Sequence, residues 1–270
     1  MIKDEYFILN NGVKIPKIGL GTWQISNDDA TPSVLWGLKY GYLHIDTAEA
    51  YGNEVGVGLG IKQSGLKREE IFITSKIHAH IKTYEEAKAC IEQSLKDLDV
   101  DYIDLMLIHA PRPWNILWDP KAPRMYEGNI EVYRAMEDAY KEGKLKSIGL
   151  SNFMIDDVKN ILENCEIVPQ VNQICIFIGN TPIDLINYCK ENNILVEAYS
   201  PIATGRLLNN ELVKSIADKY GVSVARLCIR YCLEIDTLPL PKSNKENHIK
   251  ENLDVDFEIS KEDMELLLKQ

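Results

Sequence analysis

Short apolar runs alternate along the chain with longer amphipathic ones. The short runs are IGLGTW (18–23), LHIDTA (43–48), IFITSK (71–76), IDLMLIHA (103–110), LKSIGLS (145–151), VPQVNQI (168–174), ILVEAYS (194–200) and TLPLPKS (237–243). Each has strand length. Between them, EEAKACIEQSLKDL (85–98) places Ala87, Ile91, Ser94, Leu95 and Leu98 on one stripe at helical spacing, and residues 129–142, 154–164, 182–192 and 209–220 repeat the pattern. Strands alternating with helices predict a parallel sheet, and eight strands is the number that closes a (β/α)₈ barrel. FILNNGVKIP, ahead of the first run, sets Asn11-Gly12 between apolar residues. That dipeptide predicts a β-hairpin with a type I′ turn, lying as a lid over the bottom of the barrel. No linker or low-complexity segment interrupts the rhythm, so residues 1–270 are expected to form one domain. An open doubly wound sheet would carry G-x-G-x-x-G after its first strand, and GLGTWQ lacks that spacing.

Composition narrows the function more than the fold. At 270 residues the chain suits one α/β barrel, and its 41 acidic against 30 basic side chains leave a net charge of −11. That balance argues against a surface that binds nucleic acid. The six cysteines form no C-x-x-C pair and are expected to be reduced core thiols, Cys228 and Cys232 sharing a helix face. No basic-then-apolar leader opens the chain and no run approaches a membrane span, so a cytoplasmic location is expected.

In a barrel of this kind chemistry gathers at the carboxyl ends of the strands. Those positions hold Trp23, Asp46, Lys76, His109, Ser151 with Asn152, Gln173, Tyr199 with Ser200, and Lys242 with Ser243. Asp46 and Lys76 end adjacent strands and can pair. Tyr51 lies just past Asp46, within reach of Lys76, whose charge would favour the phenolate and lower the phenol's pKa toward working pH. His109 can hydrogen-bond to the same substrate oxygen as Tyr51. This is a proton donor over a carbonyl site. No zinc ligand set is complete, and a hydride cofactor would supply the reducing power.

These residues resemble the aldo-keto reductases over essentially the whole chain. The matching stretches are GLGTW (19–23), IDTAEAYGNE (45–54), ITSK (73–76), DLMLIHAP (104–111), GLSNF (149–153), VNQ (171–173), AYSP (198–201) and PKSNKENHIKEN (241–252), in family order and spacing. The resemblance implies a (β/α)₈ barrel that binds NADPH, or NADH, in extended form. It implies a tetrad in which Tyr51 is the general acid, Lys76 held by Asp46 tunes it, and His109 orients the carbonyl. It assigns Ser151, Asn152 and Gln173 to the nicotinamide carboxamide and Tyr199 to stacking on the ring. Gly21 and Thr22 join the cofactor set. Ser200, Pro201, Ile202, Gly205 and Leu207 match the pyrophosphate segment; Lys242, Ser243, Asn244, His248, Glu251 and Asn252 match the adenosine-phosphate end. The resemblance also implies a small carbonyl compound as substrate and, as the family default, a monomer.

Three departures from the family pattern stand out. ICIFIGN follows Gln173 where a Glu, an aromatic, His and Pro are usual. His248 replaces an arginine that grips the 2′-phosphate, and a histidine is mostly neutral at pH 7. Ala110 replaces an aromatic residue after His109, leaving Trp114 and Trp118, with Trp23, to wall the substrate pocket. The ending SKEDMELLLKQ leaves no long C-terminal loop, so an open site is expected. Rival functions are alcohol oxidation in the reverse direction, a cofactor-binding regulatory subunit of a channel, and a lyase or isomerase using the Lys76 amine as a Schiff base. Gly56, Gly58 and Gly60 are not a phosphate loop; they fall where Asn53 should cap the second helix and are expected to allow close packing.

Overall fold

The computed structural model describes residues 1–270. Two short strands, β1 (Tyr6–Ile8) and β2 (Lys14–Pro16), pair antiparallel ahead of eight parallel ones. These are β3 (Leu20–Gly21), β4 (His44–Asp46), β5 (Phe72–Ile77), β6 (Leu105–Ile108), β7 (Ile148–Ser151), β8 (Val171–Cys175), β9 (Leu195–Tyr199) and β10 (Leu238–Leu240). Each strand lies beside its neighbour in sequence, from β3 to β10. The barrel closes where Gly21 bridges Lys242, with Gly19 N–H donating to the Pro239 carbonyl and Gly21 N–H to the Pro241 carbonyl. The (β/α)₈ expectation holds.

The helices are α1 (Asn27–Tyr40), α2 (Glu54–Gln63), α3 (Tyr84–Leu98), α4 (Tyr126–Lys141), α5 (Ile155–Asn164), α6 (Ile183–Glu191), α7 (Glu211–Tyr220), α8 (Val224–Glu234), α9 (Glu246–Glu251) and α10 (Lys261–Leu268). Ser26, Thr83, Asn210, Ser223 and Ser260 cap their helices through side-chain oxygens, which satisfy first-turn N–H groups. Asn53 occupies the N-cap position of α2 but does not cap it. Its amide instead donates to the carbonyls of Thr22 and Ile25 and accepts from the Thr47 hydroxyl, tying the β3 and β4 loops together. None of the helices is long and apolar enough to cross a membrane.

Two apolar layers hold the barrel. The larger lies between the strands and the helix ring and includes Val34, Ile45, Ile73, Ile91, Val132 and Ile229. It also takes Cys228 and Cys232, and all six thiols are free. The smaller fills the barrel interior: Phe72, Leu105, Leu107, Val171, Leu238 and Leu240 pack there with Leu9 and Ile15 of the hairpin. The hairpin is therefore the floor, as expected, but its turn differs. Gly12 alone is left-handed (φ 85°), so the loop is a three-residue turn ending in a glycine bulge and not type I′. Asn10 and Asn11 have another task. Their amides donate to the carbonyls of Pro169, Asn193 and Lys146, pinning the floor to the amino ends of the barrel.

The glycines of α2 have a steric account. A Cβ on Gly56 would lie 2.1 Å from the Asn27 carbonyl oxygen, one on Gly58 2.3 Å from that of Leu98, and one on Gly60 2.8 Å from Val34 Cβ. Gly56 and Gly60 let α2 sit on α1, while Gly58 admits the end of α3. An alanine in a helix normally gains up to about 1 kcal/mol over glycine. At Gly58 the obstacle is a backbone oxygen, so Gly58→Ala is expected to destabilise by about 1–3 kcal/mol, the usual cost of overpacking. Thermal unfolding should register this as a drop in Tm of several degrees; a rise would refute the packing account.

Candidate active site

The carboxyl ends of the strands open on a groove of about 770 Å³. Asp46 ends β4 and Lys76 lies one residue from the end of β5. The Lys76 ammonium donates at 2.8 Å to each carboxylate oxygen of Asp46 and at 2.7 Å to the Thr47 carbonyl, and lies 3.3 Å from the Tyr51 hydroxyl. Lys76 has no exposed surface and Asp46 4%. Burial alone would pull the lysine's pKa down, but Asp46 and Tyr51 outweigh it and leave it above the ordinary value. The Lys76 ammonium is fully buried with its hydrogens committed to Asp46 and Thr47, an arrangement that presents no free amine to the groove and speaks against the Schiff-base reading.

Tyr51 hangs over this pair from a one-turn 3₁₀ segment, Glu49–Tyr51, whose end is turned by Gly52 at φ 65°. The expected lowering of its pKa is not what the geometry produces. Burial of the phenol raises it by more than Lys76 lowers it, so Tyr51 stays protonated above the ordinary value. His109 follows β6, its ring 5.5 Å from that of Tyr51 and edge-on to Trp114 at 4.8 Å. Burial, then the charge of Lys76, holds its pKa well below the ordinary value, so the imidazole is neutral. Its Nδ1 is buried without a partner.

Ser151 and Gln173 are register partners on β7 and β8 and both line the groove. Both amide hydrogens of Gln173 are taken, by Asp46 at 2.8 Å and by Glu197 at 2.7 Å. Asn152, at φ 61°, spends its amide on the His109 carbonyl and the Ser151 hydroxyl oxygen, and its Oδ1 accepts from the Tyr199 hydroxyl at 2.7 Å. It therefore sets Ser151, Tyr199 and the His109 backbone. What faces the groove is the Ser151 hydroxyl as donor and the Gln173 carbonyl as acceptor. That pair complements a primary carboxamide, the group a nicotinamide carries, beside a Tyr199 ring whose orientation is fixed.

Most of the other expected residues fall where strand order puts them. Gly21, Ser200, Pro201, Ile202, Gly205 and Lys242 line the groove with Trp23 and Trp114. Ser200, Ala203 and Thr204 are left-handed without being glycine, at φ 54°, 50° and 53°, and each costs on the order of 1–2 kcal/mol. Several positions differ. Thr22 is buried behind the site, its hydroxyl donating to the Asp46 carbonyl. Leu207 belongs to the core, and Leu208 lines the groove instead. Trp118 is 69% exposed and outside the lining. Ser243 and Asn244 lie on the loop after Lys242, His248 and Glu251 on α9 and Asn252 at its C-cap, all five outside the groove lining. The unusual ICIFIGN segment turns back through a Phe177–Asn180 bridge and buries Ile174, Ile176 and Ile178, contributing nothing to the groove. Gln24 and Thr204 line it without any motif to announce them, and Ala50 lines it from within the IDTAEAYGNE stretch, where the resemblance assigns it no role. Glu197 was also missed, although a glutamate inside the apolar run ILVEAYS was the available signal.

This barrel and site are those of an NAD(P)H-linked oxidoreductase. The Aldo/keto reductase family model matches residues 17–269, and the chain belongs to that family. It is 44% identical to a glyoxal reductase of Bacillus subtilis over 259 residues, which cover 95% of this chain and 89% of that protein. Among solved structures, it is similar to MGS-M4, an aldo-keto reductase from a Medee basin deep-sea metagenome library. The TM-score is 0.91 at 39% identity, covering 97% of this chain and 94% of that one. A Bombyx mori aldo-keto reductase in complex with NADP aligns with TM-score 0.88 at 32% identity, covering 98% and 92%.

Glu197 makes the stability depend on pH. Burial first, and the charge of Asp46 second, push its pKa from 4.5 to about 8. Between those values the folded protein keeps a proton that the unfolded chain has released, so its contribution to stability falls as pH rises through this window. Urea midpoints at pH 5, 6.5 and 8 should decline more steeply for the parent than for Glu197→Gln. Parallel declines would contradict it.

Proposed function

We propose that this protein reduces small aldehydes and ketones, 1,2-dicarbonyl compounds among them, with NADPH, and that Tyr51 gives the proton. The observation that carries the reading is the Tyr51 hydroxyl held 3.3 Å from a fully buried, Asp46-bound ammonium at the wall of the groove. Bound NADPH supplies the hydride. The chain's own residues supply the rest. Ser151 and Gln173 would hold the carboxamide and Tyr199 would back the ring. A substrate carbonyl oxygen would sit between Tyr51 and His109. The neutral imidazole has one hydrogen; with Nδ1 buried against no acceptor, we place it on Nε2, where it can donate to that oxygen. As negative charge builds on the oxygen, Tyr51 transfers its proton, and the phenolate left behind is stabilised by Lys76. A raised phenol pKa suits this role, because the acid is loaded at neutral pH and the ammonium acts most strongly after the proton has left. Alcohol oxidation follows the same path reversed.

Trp23 and Trp114, 44% and 40% exposed, flank the carbonyl position and leave the mouth wide. Similarity to a glyoxal reductase supports the dicarbonyl class. Lys242, a cation lining the groove, supports NADPH over NADH. The same reading makes the protein a single-domain cytoplasmic monomer that binds neither nucleic acid nor membrane, and a net charge of −11 supports the nucleic-acid part.

Tyr51→Phe is expected to bind NADPH like the parent and to lose turnover by about 10²–10⁴, the usual worth of a positioned acid. Fluorescence titration and steady-state rates on glyoxal separate the two effects, and near-parental turnover would sink the assignment. His248→Arg is expected to tighten NADPH, and not NADH, by about tenfold, the scale of one charge-assisted bidentate contact. Equal changes for both nucleotides would remove residue 248 from the phosphate site.

A further inference from the structure

Glu197 is a carboxyl with no exposed surface, in the middle of β9 and in register with Gln173. Its only hydrogen bond is the one its Oε2 accepts from the Gln173 amide at 2.7 Å; its Oε1 is buried without a partner. A carboxyl satisfied on one side only is costly to bury, and an apolar side chain of the same size would serve the barrel interior better. The bond it does make acts on a residue of the groove. Asp46 takes one Gln173 amide hydrogen and already serves Lys76. Without Glu197 the second hydrogen has no acceptor, and the amide is free to tilt toward the groove and offer N–H in place of C=O.

We propose that Glu197 is a positioning residue for the reaction: by holding the second amide hydrogen of Gln173, it keeps the Gln173 carbonyl turned to the groove as the acceptor for the cofactor's carboxamide. This rests on the cofactor reading above. Glu197 touches neither cofactor nor substrate and acts only through Gln173. Four side chains thereby become one hydrogen-bonded chain, Glu197–Gln173–Asp46–Lys76. A shift of the glutamine amide would be felt at the carboxamide and at the Asp46 carboxylate together.

The test is a double-mutant cycle on NADP⁺ affinity, read by quenching of tryptophan fluorescence, with thermal unfolding measured on the same proteins. Glu197→Met removes the acceptor and fills the space; Glu197→Gln restores an acceptor. The proposal expects Glu197→Met to keep or raise the parental Tm while weakening NADP⁺ at least about tenfold, and Glu197→Gln to stay within about threefold of the parent. In a Gln173→Ala background Glu197→Met should change affinity less than about twofold. Parental affinity in Glu197→Met overturns the proposal. So does an equal loss with and without Gln173, which would mean that Glu197 acts by another route. A collapse of Tm in Glu197→Met overturns it as well, by making the residue structural. Failure of the parent to bind NADP⁺ or NADPH at all would instead fell the cofactor reading beneath it.

Discussion

A lysine ammonium with no exposed surface sits near the top of the barrel, and the site is arranged around keeping it charged. Burying such an ion costs several kcal/mol unless its partner and hydrogen bonds are well placed. Here the partner is the Asp46 carboxylate, which meets it with both oxygens, and the Thr47 carbonyl takes a further hydrogen. Each accommodation imposes another. Asp46 must be held, so Thr22 anchors its backbone and Gln173 its side chain. Gln173 then has one amide hydrogen left, and Glu197 receives it. Asp46, Gln173 and Tyr51 of this set line the groove, and the Tyr51 hydroxyl there lies 3.3 Å from the buried ammonium, so the field of that charge reaches it.

The barrel interior explains how so polar a cluster is tolerated. The lower half is filled by Phe72, Leu105, Leu107, Val171, Leu238 and Leu240 and sealed by hairpin residues Leu9 and Ile15. The parallel strands all point the same way, so the side chains ending each run converge on the carboxyl-end mouth while the apolar ones stay below. The rim takes up the strain that this convergence requires, with Gln24, Asn152, Ser200, Ala203 and Thr204 in the left-handed region. One of them, Asn152, links three strands' worth of site residues through a single amide. The electrostatic balance at the mouth follows from the same burial. Burial keeps the Tyr51 phenol protonated and the His109 ring neutral near neutral pH, the forms that the proposed proton-transfer roles require.

Much of this was readable in the residues. The eight apolar runs became the eight strands, and their last residues became the groove, because both follow from a period and a direction that every parallel strand shares. Helix α1 is not announced by the pattern, because it carries Pro32, a residue that ordinarily breaks helices, and its apolar stripe is weak. The β9–β10 connection holds α7, which starts after a kinked 3₁₀ segment at residues 203–209, and α8, on which Cys228 and Cys232 are both buried as the expected helix face requires. Within the site, the residues named from motifs divided by orientation. Thr22 and Leu207 point away from the groove and Trp118 projects into solvent, whereas Leu208, one position along from Leu207, faces inward.

What the sequence determined by itself is the alternation that makes a closed parallel barrel, the family, and the identity of the groups at its mouth. These depend on pattern and residue type along the chain. How those groups are spent follows from their arrangement in space. Asn152 commits its whole amide inside the protein. Burial outweighs Lys76 in setting the Tyr51 proton. Asn53 ties two loops instead of capping a helix, and three glycines in α2 are spaces for Asn27, Leu98 and Val34. The reason is the same in each case. A hydrogen bond, a desolvation cost or a steric contact depends on which atoms from distant parts of the chain arrive within a few ångströms of one another. Residue type states what a group can do, and only its neighbours in space state what it is left free to do.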